Sequence, residues 1–260
     1  MPLQRLSPDA SIGGLRLIAL LVTVLVLGGC ASTANQSAND PIEGVNRGVY
    51  AFNDGVDTYA LEPASEGWTR ITTPGVREGV DNFFTNLEAP GYILNDLLQG
   101  KAGDAGRESL RFVINTTIGL LGLFDPAHAW LGIEGRAEDF GQTLGVWGVD
   151  MGPYLVLPLF GPSDARDVTQ YPVAHYTNVL TYVTLDTLTF GALTALEIVN
   201  TRARVAGAAR FRDDAAVDPY IFTRSAYRQY RRSQVVDGEV SLEDDAYSDF
   251  FEEMGSLPGE

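Results

Sequence analysis

Asp40-Pro41-Ile42-Glu43-Gly44-Val45-Asn46-Arg47-Gly48-Val49-Tyr50-Ala51-Phe52-Asn53 decides the fold class. Asp40 is placed to cap a helix, Pro41 fits its first position, and Glu43 completes a capping box. Ile42, Val45, Val49, Phe52, Val56 and Tyr59 then follow at alternating steps of three and four. That spacing makes one apolar stripe on a helix, which Pro63 is expected to stop.

The same signals recur downstream. Thr73-Pro74 opens a second helix carrying Val76, Val80, Phe83, Phe84 and Leu87, with Pro90 interrupting and Ile93, Leu94, Leu97 and Leu98 continuing to Gly100. Arg107 to Leu123 starts helical and becomes apolar and glycine-punctuated. Asp125-Pro126 and Asp218-Pro219 repeat the Asp-Pro start, and Asp186 to Val199 and Arg202 to Arg232 are helix-prone. No run of alternating strands is evident, although Tyr154 to Phe160 is extended in character and carries Pro158. The class is mainly α, with one helical domain over residues 40–236.

The flanks are different objects. Arg5 and Arg16 precede an apolar run, Leu17 to Leu27, which ends in Gly28-Gly29-Cys30. A positive start, a short apolar run and small residues describe a secretory leader, and the run is too short for a spanning helix. Leu27-Gly28-Gly29-Cys30 resembles the lipobox of bacterial lipoproteins, so residues 1–29 are expected to be cleaved and Cys30 to carry acyl or diacylglycerol chains. Residues 30–39 are small and polar and read as a tether. At the other end, Asp237 to Glu260 holds nine acids and no base, and residues 237–260 read as a solvated, disordered tail.

Charge and composition exclude several classes. The 260 residues include 34 acids against 18 bases, a net charge of -16. That opposes a nucleic-acid binder, which needs clustered Lys and Arg to neutralise phosphate. One cysteine excludes an internal disulfide framework and a single-chain thiolate zinc site. Removing the leader leaves 16 bases and 33 acids, and the tail accounts for about half of the imbalance.

Two features sit poorly in a plain helical bundle. Residues 40–170 contain 19 glycines, about double the usual density of roughly 7%. Such density suits close helix contacts, tight turns or backbone pressed against a ligand, and small residues also mark helix contacts in lipid. Tyr171 to Asn200 interleaves apolar residues with six threonines and carries Pro172, His175 and Asp186, against a membrane span. A core helix is favoured there over an amphipathic helix at a bilayer surface.

Catalytic chemistry is sparse. His128 and His175 lack metal-ligand spacing, and a packed core role is expected for His128. Gly161-Pro162-Ser163 has Ala165 where a nucleophile elbow needs glycine. Glu138 and Asp139, or Asp164 and Asp167, read equally well as paired acids or as caps and salt bridges to Arg136 and Arg166. No metal, cofactor or catalytic residue is expected.

The entry stretch Asp40 to Arg47 with Tyr50 to Asn53 resembles that of the VacJ/MlaA phospholipid-transport lipoproteins. Further matches follow in that family's order: residues 82–90, 95–100, 111–116 and 139–145, then Trp147-Gly148-Val149, Gly152-Pro153-Tyr154 and Leu157-Pro158. Gly161-Pro162-Ser163 with Arg166-Asp167, and Asp218-Pro219-Tyr220 with Arg224 and Ala226-Tyr227, complete a likeness spanning residues 27 to about 232. Tyr171 to Gly207 matches only in general character.

The resemblance implies a ring-like helical lipoprotein around an amphipathic channel, held in the inner leaflet of the outer membrane from the periplasmic side. It implies association with a trimeric porin, and removal of mislocalised phospholipids to a soluble periplasmic carrier. Gly152, Pro153, Tyr154, Leu155, Leu157, Leu159 and Phe160 are the candidate lipid channel. Phe83, Phe84, Leu94, Leu97 and Leu98 are the candidate membrane-facing set, with helix core as the rival. Asn46, Asn82, Asn86 and Gln142 are expected to pin helices by hydrogen bonds. The alternatives are a porin-associated scaffold without transport and, more weakly, a lipid hydrolase using Ser163 or an acid pair.

Overall fold

The computed structural model describes residues 40–183 and 185–238. The leader, Cys30, the rest of the tether and the tail beyond Gly238 lie outside the described residues. Nine α-helices are found among the described residues: α1 (Glu43–Val56), α2 (Glu62–Ile71), α3 (Pro74–Leu98), α4 (Ala102–Thr117), α5 (Pro126–Leu131), α6 (Phe140–Val146), α7 (Gln170–Thr177), α8 (Thr187–Ala215) and α9 (Pro219–Val235). One hairpin, β1 (Tyr154–Leu157) and β2 (Gly161–Asp164), lies between α6 and α7. The fold is a single, mainly helical domain, as the periodicity predicts.

The start signals work at Thr73, Asp125, Asp186 and Asp218, whose side chains accept from backbone N–H groups of the following turn. Asp40 departs from this pattern. Helix α1 begins at Glu43 behind Ile42, and the Asp40 carboxylate turns inward to accept from Asn46, Tyr220 and Arg224. A buried guanidinium supplies a stronger partner than an exposed helix end.

Both prolines expected to break helices are absorbed. Between α1 and α2 the chain makes a π-helical turn, Asp57–Leu61, and Pro63 sits in the first turn of α2. A π turn shifts the bonding pattern by one residue, so the helix continues past a missing donor. Helix α3 runs unbroken through Pro90. It packs against α4, α6, α7 and α8, and that support outweighs one lost hydrogen bond.

Asparagines join the layers. Asn200 of α8 accepts from Trp68 Nε1 of α2 at 2.9 Å and donates to the Arg77 carbonyl of α3 at 3.1 Å. Arg202 grips Asp57 of the π turn through two nitrogens, at 2.6 and 2.8 Å. Asn86 of α3 donates to Thr116 Oγ1 of α4 at 2.9 Å. The turn after α4 comes so close that a Cβ on Gly122, whose φ is +92°, would lie 2.4 Å from Asn86 Cβ; only glycine fits there.

The apolar core is small. Val49, Tyr154, Val156 and Tyr220 form it, with Val45, Tyr50, Ile221 and Tyr227 packed around. The stripe on α1 therefore divides: Val45 and Val49 face this core, while Ile42, Phe52 and Tyr59 are exposed.

Candidate functional site

Among the described residues, nine apolar side chains are buried against eighteen polar or charged ones. A water-soluble domain reverses that balance, since charged groups are rarely buried unless paired. Most of the charged ones are paired here. Arg231 of α9 takes Asp139 at 2.6 and 2.8 Å, and its Nε bonds Asp167, which also accepts from Tyr227 at 2.7 Å and Arg166 at 2.8 Å. Burial alone would raise the Asp139 and Asp167 carboxyls, but the Arg231 guanidinium holds both below the usual carboxylate range. Asp164 accepts the backbone N–H groups of Arg166 and Asp167 at 2.9 and 2.7 Å. Burial pushes it up to about 6, with the Asp167 charge adding to the effect.

A second network runs from α3 to α6. Asn95 accepts from Thr143 at 2.9 Å, Gln99 donates to Glu138 at 2.8 Å, and Lys101 bridges Glu138 and Asp237 at 3.1 and 2.7 Å. Asp237, the first residue read as tail, is thereby tied to the body, with Arg136 2.9 Å away.

The exterior carries many apolar side chains. Leu94, Leu97 and Leu98 are exposed. Phe83 is half-buried, and Phe84 is buried beneath it in an edge-on ring contact of 5.2 Å. Phe84 is thus not membrane-facing; it points between helices. A run of exposed apolar residues after α4 escaped sequence reading: Ile118, Leu120, Leu121, Leu123 and Phe124, with Trp130 of α5, are all exposed. Its signal was the run Ile118 to Phe124, apolar without helical period and too short to span. Segment 171–200 also differs from the expected core helix, with Tyr176, Tyr182, Leu188 and Phe190 exposed and Leu188 82% open. Asn200 is its buried member. His128 is exposed too, on the short α5, with its Nδ1 3.4 Å from Glu134. No described helix is long and apolar enough to cross a membrane.

Between α3, α6, α7 and the end of α9 lies a cleft of about 240 Å³. Glu88, Tyr92 and Asn95 form its α3 wall, Phe140 and Gln142 come from α6, and Gln170, Val173, Ala174 and Thr177 from α7. It is amphipathic. The helices meet at Gly91, where a Cβ would lie 2.6 Å from Thr177 Oγ1.

The segment Gly152 to Phe160 does not line this cleft. It forms β1 and the hairpin tip, paired antiparallel from Tyr154 with Asp164 to Leu157 with Gly161. Tyr154 and Val156 point into the core, and Tyr154 is fully buried, so its ring does not face a channel. Leu155 and Leu157 are half-buried, while Leu159 and Phe160 are exposed at the tip. The Phe160 ring stands 4.9 Å from Tyr171 of α7, next to cleft-lining Gln170. Asn46 clamps this strand rather than pinning another helix. Ser163 is buried in β2, its hydroxyl donating to the Asp164 carbonyl at 3.5 Å. Among the described residues no group of three His, Cys, Asp or Glu is placed to hold a metal ion.

Residues 38–234 match the family model of the MlaA lipoproteins. The chain belongs to the MlaA lipoprotein family. It is 37% identical over 220 residues to the intermembrane phospholipid transport system lipoprotein MlaA of Escherichia coli, covering 83% of this chain and 86% of that one. The protein of the same name from Haemophilus influenzae is 33% identical over 253 residues, covering 88% and 96%. A solved structure described as the structural basis for maintenance of bacterial outer membrane lipid asymmetry superposes with a TM-score of 0.67 at 32% identity, covering 77% of this chain and all of that one. The MlaA match confirms the resemblance carried by the ordered motifs.

Proposed function

We propose that this chain is an outer-membrane lipoprotein, anchored through Cys30 and embedded from the periplasmic side. It takes mislocalised phospholipid from the outer leaflet, passes it through an amphipathic path to a soluble periplasmic carrier, and associates with a trimeric porin. One observation carries the reading: polar groups outnumber apolar ones among the buried side chains, many large apolar side chains are exposed, and an amphipathic cleft opens between α3, α6 and α7. A body of that kind is at rest with its surface in acyl chains and its interior offered to headgroups. The names of the related MlaA proteins support the lipid cargo.

Within this reading the passage runs along the cleft. Leu155, Leu157, Leu159 and Phe160 of the hairpin carry acyl tails toward α7, between Gly152-Pro153 and the Tyr171 ring. Leu94, Leu97 and Leu98, with the 118–124 turn, face lipid. No bond is made or broken in the cargo.

The test is a gene deletion followed by labelling of outer-leaflet aminophospholipid with a membrane-impermeant amine reagent. Labelling is expected to rise, and to return to normal with the wild-type gene. Unchanged labelling overturns transport and leaves a scaffold. Cys30→Ser is expected to abolish acylation and release the protein from membranes; acyl labelling that persists overturns the anchor.

A further inference from the structure

Three carboxylates line the cleft: Glu88, Glu138 and Asp139. Two of them are answered by cations. Asp139 receives both terminal nitrogens of Arg231, and Glu138 receives Lys101 Nζ at 3.1 Å. Glu88 is different. Among the described residues its partner is the Tyr92 hydroxyl, which donates at 2.5 Å from one turn along α3. The cleft lining contains no Lys or Arg.

The charge around Glu88 compounds the imbalance. Burial pushes its carboxyl up, and Asp81 adds to the rise although the Tyr92 bond opposes it. Burial also raises Glu197 of α8, and the Glu88 charge raises it further. Asp81 has its own cation in Arg204. A buried carboxylate without a counter-ion is costly, and a cation placed against it removes that cost. The bilayer holds one such cation at high density, the primary ammonium of an aminophospholipid headgroup.

We infer that the cleft selects phospholipids whose headgroup carries a primary ammonium over those whose headgroup is anionic, with Glu88 as the recognising group. The inference rests on the reading that the cleft takes phospholipid. An ammonium offers three donors to the Glu88 oxygen that Tyr92 leaves open. A phosphatidylglycerol headgroup offers only hydroxyls there, and its uncompensated phosphate meets the unanswered Glu88 carboxylate. Gln170, on the opposite side, is the neutral donor available to the phosphate of either lipid. A quaternary choline keeps the charge and lacks the N–H donors, so it falls between the two.

The experiment uses the full-length acylated protein, captured from mixed micelles of equimolar phosphatidylethanolamine and phosphatidylglycerol. After a detergent wash, retained lipid is extracted and quantified. Wild type is expected to retain phosphatidylethanolamine in about tenfold excess, the size of one charge-assisted hydrogen bond. Glu88→Gln is expected to bring the ratio close to one, since glutamine still accepts from Tyr92 and brings no charge. Equal retention of both lipids by wild type overturns selection and leaves lipid binding standing. An unchanged ratio in Glu88→Gln also overturns it. No retained lipid in folded wild type overturns the cleft as a lipid site, which is a separate failure. Should Glu88→Gln not fold, Glu88→Asp, which withdraws the carboxylate by one methylene, is expected to lower the ratio, and a wild-type ratio in that variant overturns the proposal.

Discussion

Asn46 holds Val156 through the backbone: its carboxamide oxygen accepts the Val156 N–H at 2.9 Å while its nitrogen donates to the Tyr154 carbonyl at 2.9 Å. Seven residues along α1, Asn53 repeats the arrangement on the Leu157 carbonyl and the Leu159 N–H, at 2.9 and 2.8 Å. Two side chains on one helix face thus stand in for a neighbouring strand. The Asn46 nitrogen also reaches Asp40 at 2.8 Å, joining the clamp to Arg224.

Asn46→Ala leaves a backbone donor and acceptor of β1 buried without partners. It is expected to destabilise the fold by about 2–4 kcal/mol, read as a lower denaturation midpoint in detergent. Asn46→Asp keeps the acceptor, loses the donor and adds charge beside Asp40, so it is expected to be no better tolerated. A wild-type midpoint in both variants contradicts the clamp.

Arg231→Met strands Asp139 in the interior and takes from Asp167 one of its two guanidinium partners, Arg166 remaining, with an expected cost of about 3–5 kcal/mol. Arg231→Lys recovers little, because one ammonium cannot reproduce a fork that bonds two carboxylates. The same pairs set acid sensitivity. Both carboxyls titrate lower in the folded chain than in the unfolded one, so their stabilisation is complete above the ordinary carboxylate range and is lost as pH falls below it. Thermal melts in detergent are expected to drop steeply below about pH 4 in wild type, and less steeply in Arg231→Met.

Asp96 makes the opposite case. It is fully buried at the end of α3, neither carboxylate oxygen has a hydrogen-bond partner among the described residues, and burial with Glu138 nearby pushes it up to about 6. Its folded value lies above its unfolded one, so the charged form weakens the fold as pH rises toward 6, and the penalty is complete above that. Asp96→Asn is expected to stabilise the protein by roughly 1–2 kcal/mol at pH 8 and by much less at pH 4. A melting temperature equally shifted at both pH values speaks against this account.

Gly91→Ala pushes a methyl into Thr177 Oγ1 and parts α3 from α7 at the cleft. Phospholipid retention is expected to fall several-fold with a modest loss of stability, on the order of 1–2 kcal/mol. Adding Thr177→Ala removes the obstructing oxygen and is expected to restore both. If the double variant stays as impaired as the single one, the contact is not what sets the cleft width.

Helices were legible where an Asp or Thr stands before a proline and keeps its cap, as at Asp125 and Asp218, which cap with one oxygen while the other takes Arg111 or Arg47. Asp40 carried the same local signal, but its partners Tyr220 and Arg224 lie 180 and 184 residues away, beyond any window of periodicity. Pro63 and Pro90 read as breaks because propensity sees the missing N–H and not the packing around it. The candidate surface was half legible: Leu94, Leu97 and Leu98 follow from helical spacing, whereas Phe84 beside Phe83 is buried, which periodicity within one helix does not show. The cleft was hardly legible, since Glu88 and Gln142 come together only after α3 and α6 pack. His128 and the 171–200 segment were misjudged by one assumption, that apolar neighbours in sequence imply an apolar core in space.

The balance of nine apolar against eighteen polar buried side chains also has a thermal consequence. The heat capacity of unfolding rises with the apolar surface newly wetted and falls with the polar surface. A body that keeps its oil outside and its ion pairs inside wets little of the former on opening. Its free energy should therefore trace a shallow arc against temperature, holding its shape in the cold, where domains built on hydrophobic burial begin to loosen.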